Sequence, residues 1–135
     1  MAGVEAKQGY ALTTEQRQAV NHVTHNTGGT CLLSGMAGTG KTTVTRAYVA
    51  AFQQNGQECI GVSISWDAAK KLESESGIKS YSSMALKQQL ENGDLTLNSR
   101  HVLVLDEAGM AGTNTIHWMQ EQCDKAGAKL ILQGD

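Results

Sequence analysis

Residues Gly35-Met36-Ala37-Gly38-Thr39-Gly40-Lys41-Thr42 carry the spacing G-x-x-x-x-G-K-[ST], in which each residue type has a task that others do poorly. Gly35, Gly38 and Gly40 let the backbone curl until successive N–H groups point inward at a phosphate chain. Lys41 supplies a point charge beside the outer phosphates, and the Thr42 hydroxyl is a ligand for Mg²⁺. Thr39 and Thr43 are assigned to the same nucleotide contact. A second set, Val102-Leu103-Val104-Leu105-Asp106-Glu107, puts two adjacent acids at the C-terminal tip of a continuous apolar run. One carboxylate can hold the metal shell while its neighbour polarises an attacking water. We assign Asp106 to the metal and Glu107 to the water, so Lys41, Asp106 and Glu107 form the expected catalytic set. A lone Asp would leave kinases and switch GTPases open, whereas the Asp-Glu pair favours a hydrolysing ATPase.

These residues need elements to hold them. Cys31-Leu32-Leu33-Ser34 reads as a short buried strand entering the glycine-rich loop. Thr42 to Gln54 reads as a helix leaving it, with Val44, Ala47, Tyr48 and Ala51 on one face. Strand, loop and helix in that order put bound phosphate at a helix N-terminus. A first helix is predicted over Thr14–His25, with Ala19, Val20 and Val23 inward, and residues 1–11 read as a flexible lead-in. Asn26-Thr27-Gly28-Gly29-Thr30 is a turn. Glu58–Ile64 is predicted as a second strand, and Asp67 as the N-cap of a helix ending near Ser76 with Gly77 as its stop. Ser82–Glu91 reads as a helix stopped by Asn92-Gly93. Val102–Leu105 is a strand buried on both faces. Thr113–Ala126 is helical, with Ile116, Met119 and Cys123 on one side and Gly127 as its end, and Lys129–Leu132 is a last strand. Strands alternate with helices throughout, the pattern of an α/β parallel-sheet domain. The chain stops directly after a strand, which we read as a sheet domain incomplete at its C-terminus.

Composition sets outer bounds. The 135 residues suffice for one core, and 40% hydrophobic with 18% charged residues is ordinary for a globular chain. No apolar run approaches the ~20 residues of a bilayer span, and the N-terminus has neither a basic region nor an apolar core of a signal peptide. Cys31, Cys59 and Cys123 have no metal-ligand spacing and read as buried, reduced thiols of a cytoplasmic protein. A net charge of −2 gives no global basic footprint, so nucleic-acid binding would need a local surface.

Four segments together carry a resemblance. Leu12-Thr13-Thr14-Glu15-Gln16, Gly35–Thr43, Asp106-Glu107-Ala108-Gly109-Met110 and Gln133-Gly134-Asp135 resemble motifs Q, I, II and the start of III of superfamily 1 DNA helicases of the RecD-like branch. Within that branch the chain is most similar to the helicase region of conjugative relaxases of the TraA/TraI type. The resemblance runs from about Tyr10 to Asp135 in the family's order. It implies the N-terminal RecA-like P-loop domain, over residues 12–135, of an ATP-dependent 5′→3′ DNA helicase. ATP and Mg²⁺ are its implied cofactors, and single-stranded DNA and a second RecA-like domain its implied partners. Gln16 matches the glutamine that reads the adenine edge, although Thr13-x-x-Gln16 is also a helix capping box. In the family, arginines from the second domain reach the γ-phosphate. Such a residue contributes about 10³–10⁵ in rate in comparable NTPases. The resemblance therefore implies a chain that binds Mg·ATP weakly, hydrolyses it poorly and does not unwind DNA by itself.

The stretch Val62–Leu72 falls where motif Ia contacts single-stranded DNA, and Ser65, Trp66 and Lys70 are its contact candidates. Here the family's usual Gly-Lys is replaced by Trp66-Asp67, exchanging a cation for an anion and weakening the phosphate argument. Trp66 can instead stack on a base or simply pack. Ser82 lies at a further DNA-proximal helix start. Lys70 and Lys71 suit a solvated helix face better than a phosphate track, Trp118 suits packing, and His22 and His25 lack a partner that would make a metal site. Two other functions fit parts of the pattern. One is a different P-loop enzyme such as an AAA+ type ATPase; the other is a DNA- or protein-binding module with a vestigial nucleotide site.

Overall fold

The apolar run around Val102–Leu105 forms the middle of a parallel sheet. The computed structural model describes residues 13–25, 29–33 and 39–134. The expected lead-in, the turn residues 26–28, and Leu12, Gly35, Gly38 and Asp135 lie outside the described residues. In chain order the elements are helix α1 (Thr14–His25), strand β1 (Thr30–Leu33), helix α2 (Thr39–Gln54), strand β2 (Glu58–Ser63) and helix α3 (Trp66–Ser76). Strand β3 (Ser80–Ser82), helix α4 (Ser83–Glu91), strand β4 (His101–Leu105), a 3₁₀ turn (Ala108–Met110), helix α5 (Thr113–Ala126) and strand β5 (Lys129–Gln133) follow. The sheet order is β1-β5-β4-β2-β3 and every pairing is parallel. Five strands of one direction put all their C-terminal ends on one edge, where ligands of open α/β sheets bind.

Side-chain alternation along the strands sorts the core into two layers. Cys31, Leu33, Cys59, Val102, Val104 and Ile131 face one way and pack with Val20 and Val23 of α1 and Val44, Ala47 and Tyr48 of α2. Leu103, Leu105, Leu130 and Leu132 face the other way, toward Leu86 of α4 and Met119 and Cys123 of α5. Helix α3 joins the first layer. At Gly61 of β2 an added Cβ would lie 2.3 Å from Ser80 Oγ and 2.8 Å from Leu72 Cδ2, so the absent side chain is what seats α3 against the sheet.

The helix ends show local sequence at work. Thr13 and Gln16 form the reciprocal capping box: the Gln16 N–H donates to Thr13 Oγ1 (3.1 Å), and the Thr13 N–H donates to Gln16 Oε1 (2.9 Å). Helix α3 is capped by Ser65, whose Oγ accepts from the Ala68 N–H at 3.1 Å, and not by Asp67, which sits in the first turn. Both residue types cap well; the helix begins two residues earlier than the sequence implied. Strand β2 correspondingly ends at Ser63 rather than Ile64. Ser82 is not helical either: it ends β3 and caps α4, its Oγ accepting from the Ala85 N–H at 3.2 Å. The predicted stops hold, with Gly77 and Gly127 in the left-handed conformation that Cβ disfavours.

Other expectations resolve as structure. His22 Nε2 pairs with the Leu32 carbonyl at 3.0 Å and His25 Nδ1 with the Asn21 carbonyl at 3.1 Å. His101, which carried no sequence argument, is buried, accepts from the Asn98 N–H through Nδ1 (3.0 Å) and meets Glu58 Oε2 through Nε2 (2.8 Å). Trp118 packs half-buried against the second core layer. No described helix is long and apolar enough to cross a membrane.

All three cysteines are buried and unbridged. Burial pushes the thiols of Cys59 and Cys123 up to about 12, and that of Cys31 up by a smaller amount. A raised thiol pKa means less thiolate at neutral pH, and the thiolate is the reactive form. The native protein is therefore expected to react very slowly with a thiol-specific disulfide reagent, with all three cysteines titrating promptly in denaturant. Fast reaction of Cys59 or Cys123 in the native state would contradict this packing.

Candidate nucleotide site

Helix α2 begins at the C-terminal edge of the sheet, with Thr39 and Gly40 in its first turn. That places Lys41 and Thr42 over the ends of β4 and β5. Lys41 Nζ lies 3.2 Å from Asp106 Oδ1, and both side chains are mostly buried. Lys41, Thr42, Asp106 and Glu107 line one cavity of about 350 Å³. Residues far apart in the chain thus converge as the sequence implied. Thr43 sits half-buried beside them and off the cavity wall. Gly35 and Gly38 lie outside the described residues, and Gln16 is in its capping box on α1.

The backbone around Glu107 is constrained. Glu107 adopts φ 53° and ψ 47°, the one described non-glycine residue in the left-handed region. A bulky side chain held there costs roughly 1–3 kcal/mol and marks a conformation imposed by its surroundings. It turns the chain from β4 into the 3₁₀ turn and leaves Glu107 on the cavity wall next to Asp106. Gly134 makes this possible. Its φ is +86°, and a Cβ there would lie 3.1 Å from the Glu107 nitrogen, 3.2 Å from its Cα and 3.6 Å from Lys41 Nζ.

Three further residues belong to the site: Gln133, read only as the start of the motif III resemblance, Lys71, read as a face lysine, and Glu75, which the sequence did not single out. Gln133, on β5, is 1% exposed, and its Nε2 donates to Asp106 Oδ1 at 3.1 Å. Its Oε1 accepts from Thr45 Oγ1 (3.1 Å) and from the Tyr48 hydroxyl. Burial pushes the Tyr48 phenol well above its ordinary value, so it stays a donor. Glu75 and Lys71, on α3, line the same cavity; Thr42 Oγ1 donates to Glu75 Oε2 at 3.4 Å, and Lys71 Nζ lies 3.9 Å from Glu75 Oε1. A glutamine at a strand end and an i,i+4 charge pair give no sequence signal of their own.

The residues fit a Mg²⁺–nucleotide complex. The cavity wall carries one hydroxyl (Thr42), three carboxylates (Glu75, Asp106 and Glu107) and two ammonium groups (Lys41 and Lys71), which suits a cation held partly by substrate oxygens and water. Among the described residues no group of three or more His, Cys, Asp or Glu side chains could hold a metal by itself. Ser63 ends β2 one residue beyond the Val62–Leu105 pair, on the strand next to Asp106. Its hydroxyl is buried with no hydrogen-bond partner among the described residues, as expected where a site carries ordered water or an ion.

The DNA-contact candidates lie along the same sheet edge, at the starts of α3 and α4. Trp66 is 64% exposed. Lys70 Nζ stands 4.3 Å from the Trp66 ring centroid, so the two candidates form one cation–π unit instead of separate contacts. The Ser65 and Ser82 oxygens serve as helix caps.

A parallel sheet with a glycine-rich P-loop sequence before a helix N-terminus, and an Asp-Glu pair at the tip of β4, defines a P-loop nucleotide-binding domain. Comparison with protein families matches residues 11–135 to the AAA domain, and the chain belongs to this family. It is also similar to the probable conjugal transfer protein TraA of Sinorhizobium fredii, 36% identical over 92% of this chain and 11% of that protein. The conjugal transfer protein TraA of Rhizobium radiobacter is 32% identical over the same shares. That of Agrobacterium fabrum is 33% identical over 75% of this chain and 9% of that protein. The chain thus spans about a tenth of the length of these relatives.

Replacing Gly134 by Ala forces a Cβ against the Glu107 backbone in a conformation that glycine alone tolerates well. Gly134→Ala is expected to destabilise the domain by about 1–2 kcal/mol, read as a lower thermal midpoint. An unchanged midpoint would mean that the Glu107 turn is not held as described.

Proposed function

We propose that this chain is the ATP-binding motor region of a DNA helicase that acts in conjugative DNA transfer. In the full-length protein it would couple ATP hydrolysis to 5′→3′ movement on single-stranded DNA. The observation that carries this reading is the convergence of Lys41, Thr42, Asp106 and Glu107 on one cavity at the C-terminal edge of the sheet. The similarity to TraA conjugal transfer proteins supports the biological setting.

Each residue has a task that its position suits. Lys41, now balanced by Asp106, exchanges that carboxylate for the outer phosphates when nucleotide enters. Thr42 and Asp106 would hold Mg²⁺, which supplies charge neutralisation on the phosphate oxygens when bound. Glu107, fixed by its backbone turn, accepts a hydrogen bond from water in the cavity and orients it for attack. Gln16 would contact adenine with its amide nitrogen, since its Oε1 accepts the Thr13 N–H. Trp66 with Lys70 offers a flat cationic surface on which a base of single-stranded DNA can stack. Ser65 and Ser82 sit at helix N-termini on the same edge, where hydroxyls and backbone N–H groups suit phosphate. A second RecA-like domain of the parent protein would close the site.

The AAA-domain match alone would equally suit a P-loop ATPase with no nucleic-acid partner. The TraA similarity and the exposed Trp66–Lys70 pair favour DNA.

Calorimetry with Mg·ATP tests the reading. The chain is expected to bind, Lys41→Ala to lose affinity by at least about tenfold through loss of a charge-assisted contact, and Gln16→Ala to weaken ATP more than GTP. Absence of binding by the parent chain would turn the assignment toward a module whose nucleotide site is vestigial.

A further inference from the structure

We infer that Gln133 is a positioning residue for the metal-holding carboxylate, an inference that rests on the nucleotide-site reading above. Asp106 must present one oxygen to a cation once Lys41, which holds Oδ1 in the free site, has turned to the phosphates. An aspartate has two torsions, and a lysine on a flexible stem does not by itself fix them. Gln133 does so from the neighbouring strand. Strands β4 and β5 pair in register with Leu105 opposite Leu132, which sets Gln133 beside Asp106 on the face that α2 covers.

The direction of the amide follows from its partners. A carboxylate only accepts, so the Gln133 NH₂ must face Asp106. Its carbonyl then faces Tyr48 and Thr45, both hydroxyl donors on α2. Thr45 has one proton and two acceptors within reach, Gln133 Oε1 at 3.1 Å and the Lys41 carbonyl at 2.8 Å. The chain of contacts therefore runs from the core side of α2 through Gln133 to Asp106, and back through Lys41 to α2. Both donors to Asp106 converge on Oδ1. Among the described residues no hydrogen bond reaches Oδ2, which is left for the cation. Gln133 is buried and absent from the wall of the 350 Å³ cavity, reaching only a recess of about 10 Å³ beside it, and it donates to Asp106, so its effect on bound Mg²⁺ passes through that carboxylate. Partners that orient a metal ligand from behind commonly set metal affinity as strongly as the ligands do.

The test separates metal coupling from plain stability. ATP affinity of the whole chain is measured by calorimetry in excess EDTA and across a Mg²⁺ titration, for the parent, Gln133→Leu and Tyr48→Phe. Leucine keeps the volume and removes the donor, and phenylalanine removes the hydroxyl that orients the amide. Gln133→Leu is expected to raise the half-saturating Mg²⁺ about 10-fold or more, with Mg²⁺-free ATP affinity within about twofold. Tyr48→Phe should shift it the same way by a smaller factor. An unchanged Mg²⁺ requirement in either folded variant, or equal loss with and without Mg²⁺, would overturn the inference. If Gln133→Leu does not fold, Tyr48→Phe decides alone. If the parent chain binds no ATP under either condition, it is the nucleotide-site reading that fails, and this inference with it.

Discussion

Asp106 Oδ1 accepts from two directions at once, from Lys41 Nζ at 3.2 Å and from Gln133 Nε2 at 3.1 Å. That shared acceptor ties the start of α2 to the tips of β4 and β5, elements that the chain separates widely. Without ligand it also supplies the counter-charge that a mostly buried ammonium requires. On the proposed nucleotide-site reading, phosphate would replace this pairing on the Lys41 side, while the Gln133 contact would persist on the other.

The rest of the fold serves this arrangement. A parallel sheet buried on both faces brings strand ends to one edge, and the backbone hydrogen bond from the Asp106 N–H to the Val62 carbonyl (2.9 Å) extends the ladder to the tip of β4. There the chain leaves through the strained Glu107 turn, accommodated by the bare backbone of Gly134. Helix α3 closes the other side of the cavity with Glu75 and Lys71 and carries Trp66, with Lys70 over its ring, at its N-terminal end. One short helix therefore spans from the nucleotide cavity to the surface proposed for DNA.

Much of this was legible in the sequence because the elements are long, apolar or punctuated. Helices α1 and α5 fall on their predicted bounds, since capping residues and glycines mark the ends of periodic runs. The buried runs of β4 and β5 have no other reading in an alternating pattern. Strand β3 escaped because Ser80-Tyr81-Ser82 is short and polar, and it is a strand only through its pairing with β2. The start of α3 was misplaced because Ser65 and Asp67 are equally good caps, and the local code cannot rank them. In the site, the motif residues were readable because their chemistry is written in their spacing. Gln133 entered only as the start of the motif III resemblance; its contacts were not legible, because its partner Tyr48 stands 85 residues away. Glu107 was read for its charge, while its backbone strain emerges only when Gly134 closes against it.

A crystal structure of the chain with Mg²⁺ and a non-hydrolysable ATP analogue tests the central claim most directly. The account predicts the phosphates against Lys41, the cation between Thr42 and Asp106, and the Lys41–Asp106 contact broken while Gln133 still holds Oδ1. A nucleotide bound elsewhere, or a Lys41–Asp106 pair left intact beside bound phosphate, would contradict it.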